Sequence, residues 1–98
     1  MKLPVVMRRA AQSEFDEAAD WYEEQRTGLG HDFVTKVQAT FDRISNNPNQ
    51  FPVVFEEVRQ AIVDRFPYSV LFKAEPKRIL VLVVFHHRRN PSIWKRRT

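Results

Sequence analysis

The strongest constraint on the fold is an apolar run at residues 79–85. Nearly all of its residues are Ile, Leu or Val, and a short run of this kind is typical of a strand that is buried on both faces. We therefore predict that residues 81–85 form the central strand of a sheet. The polar residues that follow, from His86 to Arg89, would reach the surface at the end of a rigid element, where a site is readily built.

Hydrophobic periodicity divides the chain into helices first and strands afterwards. The predicted elements are a strand at residues 3–7, helices over 14–26 and 31–45, and strands at 58–63, 68–74 and 79–87. Ser13 is the expected N-cap of the first helix, and the glycines of Thr27-Gly28-Leu29-Gly30 are expected to end it. The order β-α-α-β-β-β predicts one α+β domain over residues 1–98, with a helical hairpin packed on a small antiparallel sheet.

The charge of the chain is uneven. Its net charge is +4, but residues 1–50 carry six Lys or Arg against eight Asp or Glu, whereas residues 51–98 carry ten against four. Eleven of the sixteen cations are Arg, whose planar guanidinium suits contact with phosphate or carboxylate. The second half is therefore expected to meet nucleic acid or an acidic protein.

Composition also argues against several classes of site. The chain has no Cys, which excludes disulfides and thiolate zinc sites. The three His and the carboxylates follow no metal-ligand spacing, so neither a metal nor a cofactor is expected. The apolar residues 3–7 are too few for a signal peptide and no run is long enough to span a membrane, so a cytoplasmic location is expected.

His86, His87, Arg88 and Arg89 are the first candidates for a functional site. Because side chains alternate along a strand, His86 and Arg88 would share one face, and His87 and Arg89 the other. An imidazole beside a guanidinium has the parts for general acid–base chemistry on a phosphodiester. The structural alternative is that one His packs at the strand end while the other is solvated.

Three further residues extend this candidate surface. Trp94 lies in a basic segment, where its indole would either stack on a base or cap the core. Arg59 lies in the predicted strand 58–63 and Arg65 in the turn after it, and a basic groove results if both face the His-Arg cluster. The carboxylates of the first helix are expected to form a solvated face, namely Glu14, Asp16, Glu17, Asp20, Glu23 and Glu24.

Several motifs run in order through nearly the whole chain. They are Phe15-Asp-Glu-Ala-Ala-Asp-Trp-Tyr22, Gly28-Leu29-Gly30, Asn47-Pro48, Phe51-Pro52, Val58-Arg59, Arg65-Phe-Pro-Tyr68 and His86-x-Arg88-Arg89-x-Pro91-x-x-Trp94. In this order and spacing the chain resembles the RelE/ParE superfamily, toxins of bacterial type II toxin–antitoxin modules that are often called plasmid stabilisation proteins. The resemblance implies the α+β fold above and a cognate antitoxin that binds and neutralises the chain in a hetero-oligomer.

The superfamily contains two activities, and the resemblance leaves both open. RelE-like members cleave mRNA on the ribosome with a cluster of Lys and Arg on the sheet and an aromatic residue near the C-terminus. In this chain Gln60 and Ile62 align with two of those lysines, and Ser69 with an Arg, so only Arg89 and Trp94 keep the pattern. ParE-like members act on DNA gyrase without such a cluster, and the His86-x-Arg88-Arg89 ending is closer to that branch.

Three functions follow. The first is a ParE-like toxin that arrests growth by binding an essential protein, with DNA gyrase as the leading candidate. Its target-binding residues would be Arg59, Arg65, His87, Arg88, Arg89 and Trp94. The second is a ribosome-dependent mRNA endoribonuclease with His86, Arg89 and Trp94 as catalytic candidates, and the third is a non-toxic binding module. Whether the chain is an enzyme stays open, and its expected partner is an antitoxin with an acidic or amphipathic segment.

Overall fold

The computed structural model describes residues 2–88, which form two helices and five strands. In chain order the elements are β1 (Val5–Met7), α1 (Arg9–Gln25), α2 (Leu29–Asn46), a 3₁₀ turn (Pro48–Gln50), β2 (Val53–Phe55), β3 (Val58–Ile62), β4 (Tyr68–Ala74) and β5 (Ile79–His86). The α+β prediction is confirmed, and the chain contains one strand, β2, that the predicted order lacks. The bounds of β4 agree with the prediction, and the other predicted strands are one or two residues shorter.

The strands form one five-stranded mixed sheet in the order β1-β5-β4-β3-β2. From β2 to β5 neighbouring strands are antiparallel, as predicted. β1 adds a parallel strand at one edge, with Val5 opposite Ile79 and Met7 opposite Val81. A parallel pair needs a crossover connection, and here the helical hairpin and the other three strands lie between the two strands. The prediction that residues 81–85 form the central strand is wrong, because β1 and the unpredicted β2 lie at the two edges: β4 is central, and β5 is an interior strand between β4 and β1.

The helical hairpin covers one face of the sheet, and the larger core lies between them. Its buried side chains include Ala11, Ala18 and Tyr22 of α1, Phe33, Val37 and Ile44 of α2, and Val70, Phe72, Ile79, Val81 and Val84 of the sheet. Phe33 contacts the rings of Phe66 and Tyr68 edge-on, with centroids 5.3 and 5.1 Å apart. Each fully buried large apolar side chain stabilises the fold by about 1.5–3 kcal/mol, so this core holds the hairpin on the sheet.

The turn of the hairpin depends on two glycines and one carboxylate. Gly28 has φ 91°, a left-handed conformation that favours glycine. A Cβ on Gly30 would lie 2.6 Å from the carbonyl oxygen of Ala19, so only glycine allows the two helices to approach this closely. Oε1 of Glu23 accepts the N–H groups of Gly28 and Gly30, each at 3.1 Å. This carboxylate therefore satisfies donors at the start of α2.

Helix α1 begins at Arg9, directly after β1, rather than at residue 14 as predicted. The N–H of Arg8 donates to the carbonyl oxygen of Val81 at 3.0 Å, so the chain turns into the helix while still bonded to β5. Ala11 is then fully buried in the core. Ser13 is an exposed residue inside the helix and not its N-cap. Burial of an extra helical turn outweighs the local preference of Ser for a cap position.

The sheet face away from the helices carries a second apolar cluster. Its buried residues are Val58, Leu71, Leu80, Leu82 and Val83. Leu71 lies opposite Val83, whereas the next residue, Phe72, lies opposite Val81, so Leu82 is an extra residue in β5. Because both faces of β5 are apolar, the run at residues 79–85 is almost unbroken.

Strand β2 was missed because it is a three-residue edge strand. Val53 lies opposite Arg59 of β3, and the register shifts between Val53 and Phe55. Val53 and Val54 are 53% and 40% exposed, so β2 shows no alternation between buried and exposed residues that a sequence pattern could reveal.

Candidate functional site

The end of β5 meets the turn between β3 and β4 at one end of the sheet. Tyr68 lies opposite His86 in the ladder, and the N–H of His87 donates to the carbonyl oxygen of Pro67 at 2.8 Å. Arg65 lies in this turn in a left-handed conformation, with φ 68°. The structure therefore brings Arg65 and both histidines to the same end of the domain.

The two histidines lie on opposite faces, as strand alternation predicts. The ring of His86 packs edge-on against Tyr68, with centroids 5.2 Å apart. The N–H of Arg88 donates to Nδ1 of His86 at 3.1 Å, so a neutral His86 carries its proton on Nε2. His87 instead lies near Phe85, 6.4 Å between ring centroids, on the face away from the helices.

Three polar side chains on this second face form a continuous hydrogen-bonded network. Nε2 of Gln60 donates to Oγ of Ser69 at 2.9 Å, and Oγ of Ser69 lies 2.9 Å from Nε2 of His87. Ser69 is fully buried, so its hydroxyl depends on these partners. Because Gln60 donates to Oγ of Ser69, the Ser69 hydroxyl is free to donate its own proton to Nε2 of a neutral His87. That neutral imidazole then carries its proton on Nδ1.

Two residues of this network, Gln60 and Ser69, stand with Ile62 at the positions where the resembled ribonucleases would carry cations. Gln60 binds Ser69, and Ser69 in turn binds His87. Ile62, which lies opposite Ser69, is 61% exposed. All three positions are therefore neutral, two of them engaged in hydrogen bonds and one apolar.

A cleft of about 760 Å³ lies between α1 and the end of the sheet. Its α1 wall includes Glu14, Glu17 and Trp21, and its sheet wall includes Tyr68, His86 and Arg88. Trp21 is 55% exposed and packs edge-on against Tyr22, with ring centroids 5.1 Å apart. Burial raises the pKa of the Tyr22 phenol above its ordinary value, so this side chain is a neutral part of the cleft.

Not all carboxylates of α1 belong to a solvated face. Oε1 of Glu14 accepts the N–H of Val84 at 3.2 Å. β1 pairs with β5 only as far as Val81. Beyond that point, Glu14 accepts a backbone N–H on this edge of β5 in place of a neighbouring strand. The two residues are far apart in sequence, and no local pattern indicates this contact. Glu23 accepts the N–H groups of the hairpin turn, and Asp16 accepts Nε2 of Gln12, so these carboxylates have partners as well.

Arg59 does not join Arg65 in a groove with the end of β5. Nη1 of Arg59 donates to the carbonyl oxygen of Phe51, which holds the 3₁₀ turn and its exit against β3. Arg65 is exposed at the end of the sheet. Arg89 and Trp94, the two remaining predicted site residues, lie outside the described residues.

Two further features concern metals and membranes. Within residues 2–88 no group of three or more His, Asp or Glu side chains is arranged to hold a metal ion. Neither α1 nor α2 has the length and apolar character needed to cross a membrane.

Comparison with known proteins agrees with this fold. The chain is similar to a solved structure from P. aeruginosa, described as a chromosomal ParDE toxin–antitoxin system, with a TM-score of 0.75 and 20% identity over 87% of this chain and 96% of that one. No curated protein matches the chain significantly. The family model described as the ParE toxin of the type II toxin–antitoxin system parDE matches residues 5–91. The chain therefore belongs to the ParE toxin family of type II toxin–antitoxin systems.

Proposed function

We propose that this chain arrests growth by binding an essential protein target, with DNA gyrase as the leading candidate, and that it is not a nuclease. Membership of the ParE toxin family supports the toxin role. The observation that carries the binding mode is the network of Gln60, Ser69 and His87. Cleavage of a phosphodiester needs positive groups where negative charge develops, and Gln60, Ile62 and Ser69 supply none. The proposed target-binding residues are Arg59, Arg65, His87, Arg88, Arg89 and Trp94.

Induced expression without an antitoxin tests this mode of action. We expect growth arrest with a DNA damage response and intact transcripts, because a poisoned gyrase leaves DNA breaks and no cleaved mRNA. Transcript cleavage that precedes any DNA damage would instead establish the ribonuclease. Unimpaired growth at a verified level of folded protein would establish the non-toxic binding module.

Substitutions at the end of β5 test the residues. Arg88→Glu is expected to weaken growth arrest, whereas His86→Ala is expected to leave it largely intact, because target binding needs charge and not proton transfer. Lys77→Glu is the matched control for charge reversal, since Lys77 is exposed in the turn before β5, at the opposite end of that strand. Loss of toxicity in His86→Ala at normal protein levels would contradict a purely binding role.

One observation favours the ribonuclease as the second candidate. His86 lines the cleft beside Arg88, so an imidazole and a guanidinium lie in the same cleft. General acid catalysis needs a group such as this imidazole. Incubation of the protein with purified ribosomes that hold a message distinguishes the two functions. The proposed binding toxin leaves the message uncut, whereas a ribonuclease cleaves it.

The antitoxin of this module is expected to present an acidic or amphipathic segment to the basic half of the chain. A disordered partner that folds on binding covers a large area of so small a domain. The dissociation constant of the complex should therefore rise with salt concentration, as measured by calorimetry. An affinity that does not change with salt would show that charge pairing contributes little.

A further inference from the structure

Helix α1 carries a charge opposite to that of the whole chain. It contains six Asp or Glu residues and a single cation, Arg9, although the chain has a net charge of +4. The cleft described above opens beside this helix, so its α1 wall is negative. A partner that enters the cleft therefore meets a different charge from one that binds the basic half of the chain.

The floor of the cleft is aromatic. The rings of Tyr22 and Tyr68 lie 6.1 Å apart, and those of Tyr68 and His86 lie 5.2 Å apart. At the rim, Trp21 is 55% exposed, which is unusual because Trp is generally well buried. Its edge contact with Tyr22 holds the indole in place. The faces of aromatic rings attract cations, and Trp does so most strongly.

A carboxylate lies within reach of this indole. Glu17 and Trp21 are four residues apart on α1, which places them one above the other on the same face of the helix, and both line the cleft. The Glu17 side chain is exposed and makes no hydrogen bond or ion pair with other described residues. Glu14, by contrast, already binds the N–H of Val84. Glu17 is therefore the available anionic partner for a ligand.

We propose that this cleft is a docking site for a single arginine side chain of a partner protein. The guanidinium stacks on the indole of Trp21 and pairs with the carboxylate of Glu17. Arginine fits better than lysine because its planar group stacks and makes two parallel hydrogen bonds to one carboxylate. Arg88 on the opposite wall repels a second cation, so the cleft accepts one basic residue and not a basic cluster. This site does not depend on the identity of the toxin's target.

A pair of peptides tests the proposal: acetyl-Leu-Arg-Leu-amide and the same peptide with citrulline, the neutral isostere of arginine. Each is titrated into the full-length ¹⁵N-labelled protein, and the indole N–H resonance of Trp21, assigned with Trp21→Phe, is followed. We expect a saturable shift with the arginine peptide and an affinity at least about fivefold lower with citrulline, because only the cation is attracted to ring and carboxylate.

Two neutralising variants locate the ion pair. Glu17→Gln should lower the affinity for the arginine peptide about two- to fivefold, the range expected for an exposed ion pair. Asp20→Asn, on the same helix but outside the cleft lining, is the matched control and should leave the affinity unchanged. Equal binding of the two peptides, equal effects of the two variants, or the absence of any shift at Trp21 would each overturn the proposal.

Discussion

Oγ of Ser69 lies 2.9 Å from Nε2 of His87, across the boundary between β4 and the end of β5. Ser69 is fully buried, whereas His87 is exposed, so the hydrogen bond orients a surface imidazole from inside the sheet. Gln60 completes the arrangement from β3. A side chain proposed for target binding thus has a defined orientation, set by its hydrogen bond to Ser69.

Removal of the Ser69 hydroxyl should destabilise the protein by about 1 kcal/mol, the usual net contribution of a hydrogen bond. Urea unfolding of Ser69→Ala measures this free energy, and Ser13→Ala, at an exposed position in α1, is the control expected to change little. In a double-mutant cycle with His87→Ala the two losses should not add, because both variants break the same bond. Additive losses would mean that the contact contributes nothing to stability.

The two glycines of the hairpin turn should respond differently to substitution. Gly30→Ala places a Cβ against the carbonyl oxygen of Ala19 and should cost about 1–3 kcal/mol, the range for overpacked sites. Gly28→Ala has open space but a left-handed backbone, at a cost of about 1–2 kcal/mol.

Asparagine separates these two causes. Asn tolerates the left-handed conformation, so Gly28→Asn should be more stable than Gly28→Ala in chemical unfolding. Gly30→Asn should be no better than Gly30→Ala, because its Cβ meets the same carbonyl oxygen. A gain at Gly30 and none at Gly28 would contradict the assignment of the two roles.

Glu14 should protect one amide of β5 from exchange with solvent. Because its carboxylate accepts the N–H of Val84, Glu14→Ala should expose this donor and lower stability by about 1.5–3 kcal/mol, the range for hydrogen bonds to charged groups. Hydrogen exchange followed by NMR should show faster exchange at Val84. Glu17→Ala is the matched control, since that side chain has no such partner among the described residues and should leave the Val84 rate unchanged.

Alkaline pH should destabilise the fold through Tyr22. Burial raises the pKa of its phenol in the folded state, while the unfolded phenol ionises near its ordinary value of about 10. The unfolded chain therefore loses this proton first, so this contribution to stability is complete below that pH and is lost as pH rises towards the folded pKa. Between pH 8 and pH 11, Tyr22→Phe should lose less free energy of unfolding than the wild-type protein. Identical losses would show that other groups control the alkaline response.

Local patterns in the sequence predict most of the helices and strands of this fold, but not all of their bounds. The apolar run at residues 79–85 correctly indicates a strand buried on both faces, but β4 and not this strand is the centre of the sheet. The helical stripes correctly indicate a hairpin. The start of α1 is different: Ser13 is a good local cap, but burial of Ala11 extends the helix to Arg9.

The candidate site is predictable only in part. Strand alternation correctly places His86 and His87 on opposite faces. It says nothing of Arg59, whose guanidinium binds the carbonyl oxygen of Phe51 instead of joining a groove at the end of the sheet. Nor does it indicate the cleft, whose walls come from α1 and from strands that follow much later in the chain.

The sequence by itself determines the α+β class, the helical hairpin and its glycine turn, and the chain's membership of the toxin family. These depend on periodicity and on short motifs, which act over a few residues. Only the tertiary structure decides that His87 binds Ser69 and that Glu14 binds the edge of β5. Such contacts depend on strand register and on the seating of α1, and both are set by packing of the whole core rather than by neighbours in sequence.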